Sequence, residues 1–155
     1  YIYVGESPKL LLGLTNGYIM AVEYGSFRVV LSRLLANGPI IGIRNVGKKI
    51  IVTSADGSIY FWSYESVLKD ISLPNFSKVN LQFSVNGIAM DPEGEEGLVA
   101  TSEGIFYANL KEQYTSLLVG GFTSPPFFTK ILNAQYFITS HENGRLKLWN
   151  LETGE

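Results

Sequence analysis

The chain has 155 residues, which suits about one domain, and its hydrophobic content of 46% is ample for a packed core. No stretch approaches the roughly 18 uninterrupted apolar residues of a membrane span, so we expect no membrane insertion. The absence of cysteine excludes disulfides and thiolate metal sites. A net charge of −2 gives no electrostatic footprint for nucleic acid, which we therefore do not expect as a partner.

Aromatic residues make up 13% of the chain and 16 glycines punctuate it, which together favour an all-β protein. In chain order, the first strands are predicted near residues 9–14 and 18–24, and a third over residues 27–35. A helix is the alternative for 27–35, but its β-branched residues and the flanking Gly25 and Gly38 favour a strand.

The rest of the chain repeats this arrangement. The long irregular connection 65–84 is expected to hold a short helix near residues 65–69 and then a strand. Residues 114–119 are predicted as another outer strand. The other predicted strands are 40–43, 50–53, 58–63, 85–90, 97–101, 105–109, 127–132, 136–139 and 145–150.

A glycine turn joins two strands in each repeating unit. The turn glycines Gly17, Gly57, Gly104 and Gly144 lie 40, 47 and 40 residues apart. Asn143-Gly144 is a strong turn signal, because both residue types tolerate the positive φ angles of a tight hairpin. A period near 40 with one such hairpin per unit is that of a β-propeller blade. The predicted fold is all-β, with about four consecutive four-stranded antiparallel blades in an incomplete ring.

The whole chain, residues 1–155, is interpreted as one partial propeller. The predicted blades are 1–24, 27–64, 67–110 and 112–155, the last lacking its outer strand. The chain begins at Tyr1 within a β-like run, and seven blades would need roughly 280–300 residues. We therefore expect a segment of a longer protein, whose remaining blades close the ring. Because an open row leaves sheet faces and edges exposed, the isolated segment is expected to dimerise or aggregate.

Two stretches resemble the WD-repeat family, namely residues 54–63 (SADGSIYFWS) and residues 140–150 (SHENGRLKLWN). The resemblance covers essentially the whole chain but is degenerate in blades one and three. There, Val-Glu at 22–23 and Asn-Leu at 109–110 stand where the family has Trp-Asp. No Gly-His pair opens a blade, so the family's buried His-Ser-Asp-Trp network cannot be complete. The resemblance implies a propeller that binds proteins and is not an enzyme.

The third blade, from Met90-Asp91-Pro92 to residues 106–109, also resembles blades of large ciliary and flagellar WD-repeat proteins. This implies an intracellular, cytoplasmic location, in a cilium or another cytoskeletal assembly. The implied partners are other proteins of a large assembly.

His141 is the only histidine, so neither a histidine pair nor a multi-histidine metal site can form within the chain. Its interpretation is a structural residue beside a turn. Trp62 and Trp149 are interpreted as packing residues at strand ends, because the repeat itself accounts for them. No Gly-x-Ser-x-Gly elbow and no Gly-rich phosphate loop occurs, and we expect no catalytic residues, metal or cofactor.

One turn carries four carboxylates in six residues, from Asp91, Glu93, Glu95 and Glu96. Calcium loops arrange their oxygen ligands with a different spacing. A solvated acidic turn is therefore the favoured interpretation.

In a propeller, the turns between the second and third strands of each blade lie at one face with the loops that enter each blade. Prolines and aromatics within a polar rim are typical of a protein-docking surface. The predicted docking face comprises Asn16, Pro39, Asp56, Glu103, Phe122, Pro125, Glu142 and Asn143, with Pro126 and Phe127 beside them.

The favoured function is a non-catalytic protein-interaction scaffold within a larger protein. An enzyme with an active site in the channel is the alternative, but the predicted inner strands 40–43, 85–90 and 127–131 are almost wholly apolar, whereas catalysis needs converging polar groups. An adaptor in another large complex, such as a ubiquitin ligase or a vesicle coat, is a further alternative.

Overall fold

A computed structural model describes residues 2–4, 9–69 and 76–155. These residues form strands and one short helix, α1 (Tyr64–Lys69). The strands are β1 (Ile2–Val4), β2 (Lys9–Gly13), β3 (Tyr18–Glu23), β4 (Val29–Leu34), β5 (Ile40–Val46), β6 (Lys49–Ser54), β7 (Ser58–Ser63), β8 (Ser77–Asn80), β9 (Val85–Met90), β10 (Glu96–Thr101), β11 (Gly104–Asn109), β12 (Tyr114–Gly120), β13 (Pro126–Ile131), β14 (Tyr136–His141) and β15 (Leu146–Asn150).

The strands form four antiparallel sheets, and each sheet takes its strands in chain order. The first sheet is β1–β4, the second β5–β8, the third β9–β12 and the fourth β13–β15. The innermost strands of neighbouring sheets contact each other, so the sheets stand side by side around a common axis. The predicted all-β fold of consecutive four-stranded blades is confirmed, and the four sheets do not close into a ring.

Strands of the middle sheets are apolar on both faces because each sheet packs between two neighbours. Ile50 packs towards the first sheet, whereas the next residue, Ile51, packs towards the third. In the third sheet, Val99 joins the cluster shared with the second sheet, and Leu98 joins the one shared with the fourth. This alternation is the period-2 geometry of a strand, and it divides the core into three layers between sheets.

The outer face of the fourth sheet, at the end of the row of sheets, has exposed apolar side chains, unlike the faces that pack between sheets. In the fourth sheet, Leu146 is 72% exposed and Leu148 is 59% exposed, and β15 pairs only with β14 among the described residues. No helix in the described part of the chain is long and apolar enough to cross a membrane.

Several local predictions are confirmed. Within residues 27–35 the chain forms the outer strand β4 (Val29–Leu34) rather than a helix, and α1 lies at the predicted short helix. The outer strand of the second sheet is β8, while residues 70–75 of the predicted irregular connection lie outside the described residues. The predicted repeats 27–64, 67–110 and 112–155 each begin with an outer strand, whereas in the first three sheets the outer strand comes last, so these repeats and the sheets are offset by one strand.

Three local predictions need correction. In the third sheet, Gly97 pairs with Ala108 in the register in which Ile50 pairs with Trp62. The residues in place of Trp-Asp are therefore at 108–109, and not at 109–110. Gly104 is the first residue of β11 and does not have a positive φ. At the Asn143-Gly144 turn only the glycine does, with φ 79°.

Gly104 is required for a different reason, since a Cβ there would lie 2.4 Å from the carbonyl oxygen of Val119. The hydroxyl of Thr101 closes this turn instead, donating to the Gly104 carbonyl at 3.0 Å and accepting from the Gly104 amide at 3.1 Å.

Candidate protein-docking face

The turns between the second and third strands of each sheet alternate with the loops that enter the next sheet. We call this surface the turn face: the turns at 15–17, 55–57, 102–103 and 142–144, and the loops at 35–39, 81–84 and 121–125. All lie at the same ends of the strands, because each sheet has the same antiparallel strand order.

Backbone hydrogen bonds join each of the first two loops to the turns on both sides of it. The loop before β5 receives Leu35 N→Gly17 O at 3.0 Å on one side and Ala55 N→Pro39 O at 2.9 Å on the other. The next loop is joined by Leu81 N→Gly57 O at 2.8 Å. Ser102 N→Ser84 O at 3.2 Å joins that loop to the third turn, and Asn143 N→Ser124 Oγ at 3.2 Å joins the fourth turn to the last loop. The first three turns and the two loops between them therefore form one hydrogen-bonded surface.

The eight residues predicted for docking all lie on this face, but they differ in what their side chains do. Five are exposed and three are half-buried. The exposed ones are Asn16, Pro39, Glu103, Glu142 and Asn143, and the half-buried ones are Asp56, Phe122 and Pro125.

Three of the eight use their side chains to build the turns. Asn16 Oδ1 accepts from Tyr18 N at 3.4 Å, and Asn143 Oδ1 accepts from Arg145 N at 3.1 Å. Asp56 does more, because its carboxylate accepts from Ser58 N at 2.9 Å and from Asn37 N, in the neighbouring loop, at 2.8 Å.

Burial raises the pKa of Asp56, but hydrogen bonds from the Ser58 side chain and from the amides of Asn37 and Ser58 outweigh it, so the pKa is lowered overall. The carboxylate is therefore held in its charged form as a structural link between the turn and the loop.

Phe122 also has a structural role. Its ring contacts His141 edge-on at 5.1 Å between centroids and Trp149 at 5.5 Å. Lys147 Nζ lies 5.3 Å from the centre of the Phe122 ring. Phe122 thus covers the end of the core between the third and fourth sheets.

His141 is the last residue of β14 and only 2% exposed. Its Nδ1 lies 2.7 Å from the carbonyl oxygen of Ser124, which can only accept, so Nδ1 carries the proton. Its Nε2 lies 2.9 Å from Thr139 Oγ1, and Trp149 Nε1 donates to the same oxygen at 2.8 Å. The only histidine is thus part of a buried hydrogen-bond chain that holds an entering loop to the sheet.

What remains free for a partner is smaller than the predicted set. Within the described residues, the carboxylates of Glu103 and Glu142 make no side-chain hydrogen bond or ion pair, and Pro39 is exposed. Beside them, the innermost strands present large apolar side chains, with Ile41 41% exposed, Phe127 49% and Phe128 40%. Ile41 and Phe128 were not in the predicted face; their position at the start of an inner strand is the signal that could have found them.

The opposite ends of the strands hold a feature that the sequence did not indicate. A cleft of about 680 Å³ opens between the turn after β9 and the turn after β13. It is lined by Val46, Met90, Asp91, Pro92, Glu96, Gly97, Leu98, Tyr107, Ile131, Leu132, Asn133, Ala134 and Leu151. We call it the edge cleft.

The acidic turn lies beside the edge cleft. Asp91 Oδ1 accepts from the amides of Glu95 at 2.8 Å and Glu96 at 3.0 Å, so it closes its own turn. Glu95 is paired with Lys49 at 3.8 Å and Lys111 at 4.0 Å. No group of three or more metal-ligating side chains is arranged around a common point in the described residues.

Comparison with solved structures shows what this arrangement of sheets is. The β-propeller domain of Myceliophteria thermophila Cps50 (Swd1) superposes with a TM-score of 0.72 at 18% sequence identity, over 96% of this chain and 49% of that one. The four sheets thus have the fold of consecutive blades of a β-propeller.

Two further structures agree. A chain of the mitotic checkpoint complex has a TM-score of 0.72 at 13% identity, covering 98% of this chain and 49% of that one. The computationally designed Ika4 protein has a TM-score of 0.70 at 10% identity, covering 97% and 91%. The chain thus spans about half the length of the Cps50 domain and of the chain from the mitotic checkpoint complex. No protein-family model matches the chain, and no curated protein does.

Proposed function

We propose that this chain is part of a non-catalytic scaffold that binds other proteins on its turn face. The observation that supports the proposal is the hydrogen bonding of the turn face, which joins the first three turns through two loops and the fourth turn to the loop before it, and so holds exposed groups in place. A rigid surface loses little conformational entropy when a partner binds.

The chemistry of the free groups supports the same proposal. The carboxylates of Glu103 and Glu142 lie in equivalent turns of neighbouring sheets, while Phe127 and Phe128 are exposed on the inner strand of the fourth sheet. An apolar centre with a charged rim is the usual composition of a protein interface. The proposed partner therefore buries an apolar group near the axis and places basic groups over the two turns.

Photo-crosslinking in the full-length protein tests this proposal. Benzoyl-phenylalanine replaces Glu103 or Glu142, and Glu152 serves as the matched control, because it is an exposed glutamate at the opposite ends of the strands. We expect both turn-face positions to capture the same protein and Glu152 not to capture it. Capture of that protein at Glu152 alone, or equally at all three positions, would contradict the proposal.

A binding measurement with the captured protein completes the test. The double variant Glu103→Lys, Glu142→Lys should weaken its binding about tenfold or more, because two attractive charges become repulsive. Glu152→Lys should leave the affinity within about twofold. Equal effects of the two variants would show that the turn face is not the docking surface.

We further propose that the scaffold belongs to a ciliary or other cytoskeletal assembly in the cytoplasm, as part of a longer chain whose remaining blades close the ring. The support is the resemblance of residues 90–109 to blades of ciliary proteins. Imaging of the tagged full-length protein in ciliated cells tests it: enrichment along the cilium or at its base is expected, and exclusion from both would contradict it.

A further inference from the structure

The edge cleft lies at the opposite ends of the strands from the turn face, and its walls are mainly apolar. Leu98 is 1% exposed and forms part of its floor, while Leu132, on its rim, is 49% exposed. Its volume of about 680 Å³ lies within the range of about 300–1,000 Å³ that small-ligand and peptide-anchor sites occupy.

Gly97, near the start of strand β10, lines the edge cleft with its backbone. In strand β10, Gly97 lies at the register position that Ile50 occupies in the second sheet and Phe137 in the fourth. This position faces the second sheet, as Val99 does two residues further on, whereas Leu98 faces the fourth sheet. The sulfur of Met90 lies beside Gly97, at 2.5 Å from where a Cβ would be. A flexible thioether gives this wall an adaptable surface.

The charged residues that line the edge cleft are all acidic. Among the 13 lining residues, Asp91 and Glu96 are acidic and none is basic. The nearby Lys49 and Lys111 pair with Glu95, which is not in the lining. An occupant that fits this cleft therefore combines an apolar group with a positive charge.

Glu96 and Tyr107 define the charged side of the cleft. Glu96 Oε1 accepts from Asn109 Nδ2 at 3.0 Å, and its side chain is exposed. The pKa of the neighbouring Tyr107 is raised, first by burial and then by the negative charge of Glu96. The Tyr107 ring also lies 5.9 Å from that of Tyr114. A guanidinium that pairs with Glu96 would meet aromatic surface at the same place, which favours arginine over lysine.

We propose that the edge cleft is a second docking site, which binds a short segment of a partner protein carrying a large apolar side chain next to an arginine or lysine. The apolar side chain enters between Leu98 and Leu132, and the basic residue pairs with Glu96. This site is separate from the turn face, so either can fail without the other.

A displayed library of random seven-residue peptides, selected on the full-length protein, tests the proposal without knowledge of the natural partner. The Ala134→Trp variant serves for counter-selection, because Ala134 is an exposed lining residue whose replacement by tryptophan fills the cleft. We expect enriched peptides to contain a large apolar residue adjacent to arginine or lysine. Enrichment of acidic or wholly apolar peptides, or equal enrichment on the variant, would overturn the proposal.

Synthetic versions of the enriched peptides then give affinities by fluorescence polarisation. Ala134→Trp should weaken binding about tenfold or more, and Glu96→Gln about threefold to tenfold with a flatter salt dependence. Glu103→Gln, on the turn face, is the control and should change nothing. Unchanged affinity in Ala134→Trp, with a thermal unfolding curve like that of the wild type, would overturn the proposal.

Two additions keep the result decisive. If Ala134→Trp unfolds, Leu132→Ala replaces it, because its side chain is half exposed, and a loss of about threefold or more is expected. Benzoyl-phenylalanine at Ala134 in the full-length protein tests a different occupant. A crosslink to the protein's own chain would show that a segment of the same chain fills the cleft, which would overturn the proposal of a partner.

Discussion

The second and fourth sheets carry a tryptophan at the same register position but stabilise it differently. Trp62 pairs with Ile50, and Trp149 pairs with Phe137. Trp149 Nε1 donates to Thr139 Oγ1 at 2.8 Å, whereas Trp62 Nε1 is buried with no hydrogen-bond partner in the described residues. The same structural unit thus tolerates both a bonded and an unbonded indole.

The difference comes from one side chain in the neighbouring strand. Two residues beyond the paired position, the fourth sheet has Thr139 and the second has Val52, which has no acceptor. Farther along, Ser54 stands where the fourth sheet has His141, and its hydroxyl donates to the Gly38 carbonyl at 3.1 Å. The second sheet therefore has both ends of the hydrogen-bond chain and lacks only the middle hydroxyl.

Aromatic rings surround the unbonded indole of Trp62 in the second sheet. The Trp62 ring stacks on Tyr60 at 6.4 Å and meets Phe76 edge-on at 5.9 Å. An unbonded buried N–H costs about 1–3 kcal/mol, which is comparable to what such aromatic contacts return. Trp149 has the same two kinds of ring contact, stacked on Phe137 at 6.2 Å and edge-on to Phe122 at 5.5 Å, so the hydrogen bond is what distinguishes the two sheets.

The largest effect on stability is expected from removing the buried hydrogen bonds that link His141, Thr139 and Trp149 in the fourth sheet. Thr139→Val keeps the side-chain volume but leaves Trp149 Nε1 and His141 Nε2 without partners, at a cost of about 2–4 kcal/mol. Hydrogen–deuterium exchange of β14 and β15 in the full-length protein should accelerate about 30-fold to 1,000-fold. An increase in the exchange rate of less than about threefold would mean that these hydrogen bonds contribute little to the stability of this sheet.

Adding the missing hydrogen bond to Trp62 in the second sheet should stabilise that sheet, by less than the fourth sheet loses. In Val52→Thr, the new hydroxyl can accept from Trp62 Nε1, as Thr139 Oγ1 accepts from Trp149 Nε1, so the sheet should gain about 0.5–1 kcal/mol. Slower exchange of β6 and β7 checks this. Val99→Thr is the matched control, because Val99 has the same register position in a sheet without a tryptophan, and there the buried hydroxyl should cost about 1 kcal/mol or more. Destabilisation of both sheets would refute the comparison.

The turns of the same two sheets should differ in their response to acid. The pKa of Asp56 is lowered in the folded protein, so its contribution is present above its unfolded pKa of about 3.9 and is lost as the pH falls through the folded pKa. The equivalent residue in the fourth sheet is the uncharged Asn143. Asp56→Asn should cost about 1 kcal/mol at pH 7 and flatten the decline of stability below about pH 4. Thermal unfolding between pH 2.5 and 7 measures the stability at pH 7 and its decline in acid. A decline in Asp56→Asn as steep as in the wild type would contradict the lowered pKa of Asp56.

Much of the fold follows from local sequence. Regular glycine turns and alternating apolar runs predict the strands, and β-branched residues correctly favour a strand over a helix in β4. In the third sheet, the predicted position of the Trp-Asp pair is wrong by one residue, because Ala108 stands where a tryptophan would mark the end of the strand. Without a bulky marker, the register depends on cross-strand pairing, which the sequence does not display.

The sites are less accessible to sequence reasoning. The burial of His141 depends on Ser124, 17 residues away, whose carbonyl caps it across a loop. The edge cleft is formed by separate turns around Pro92 and Leu132, and neither turn is unusual alone. The polar residues of the predicted docking face are typical of turns. The side chains of Asn16, Asp56 and Asn143 do accept hydrogen bonds from backbone amides of their own turns. Which exposed groups remain free is a property of the assembled sheets.

The most direct test of the comparison between the two sheets is the indole N–H signal of each tryptophan, observed by NMR in the full-length protein with 15N-labelled tryptophan. A hydrogen-bonded indole proton resonates downfield of an unbonded one. We predict that the Trp149 signal lies downfield, that Thr139→Val moves it upfield, and that Val52→Thr moves the Trp62 signal downfield. A Trp149 signal unchanged by Thr139→Val would contradict the account.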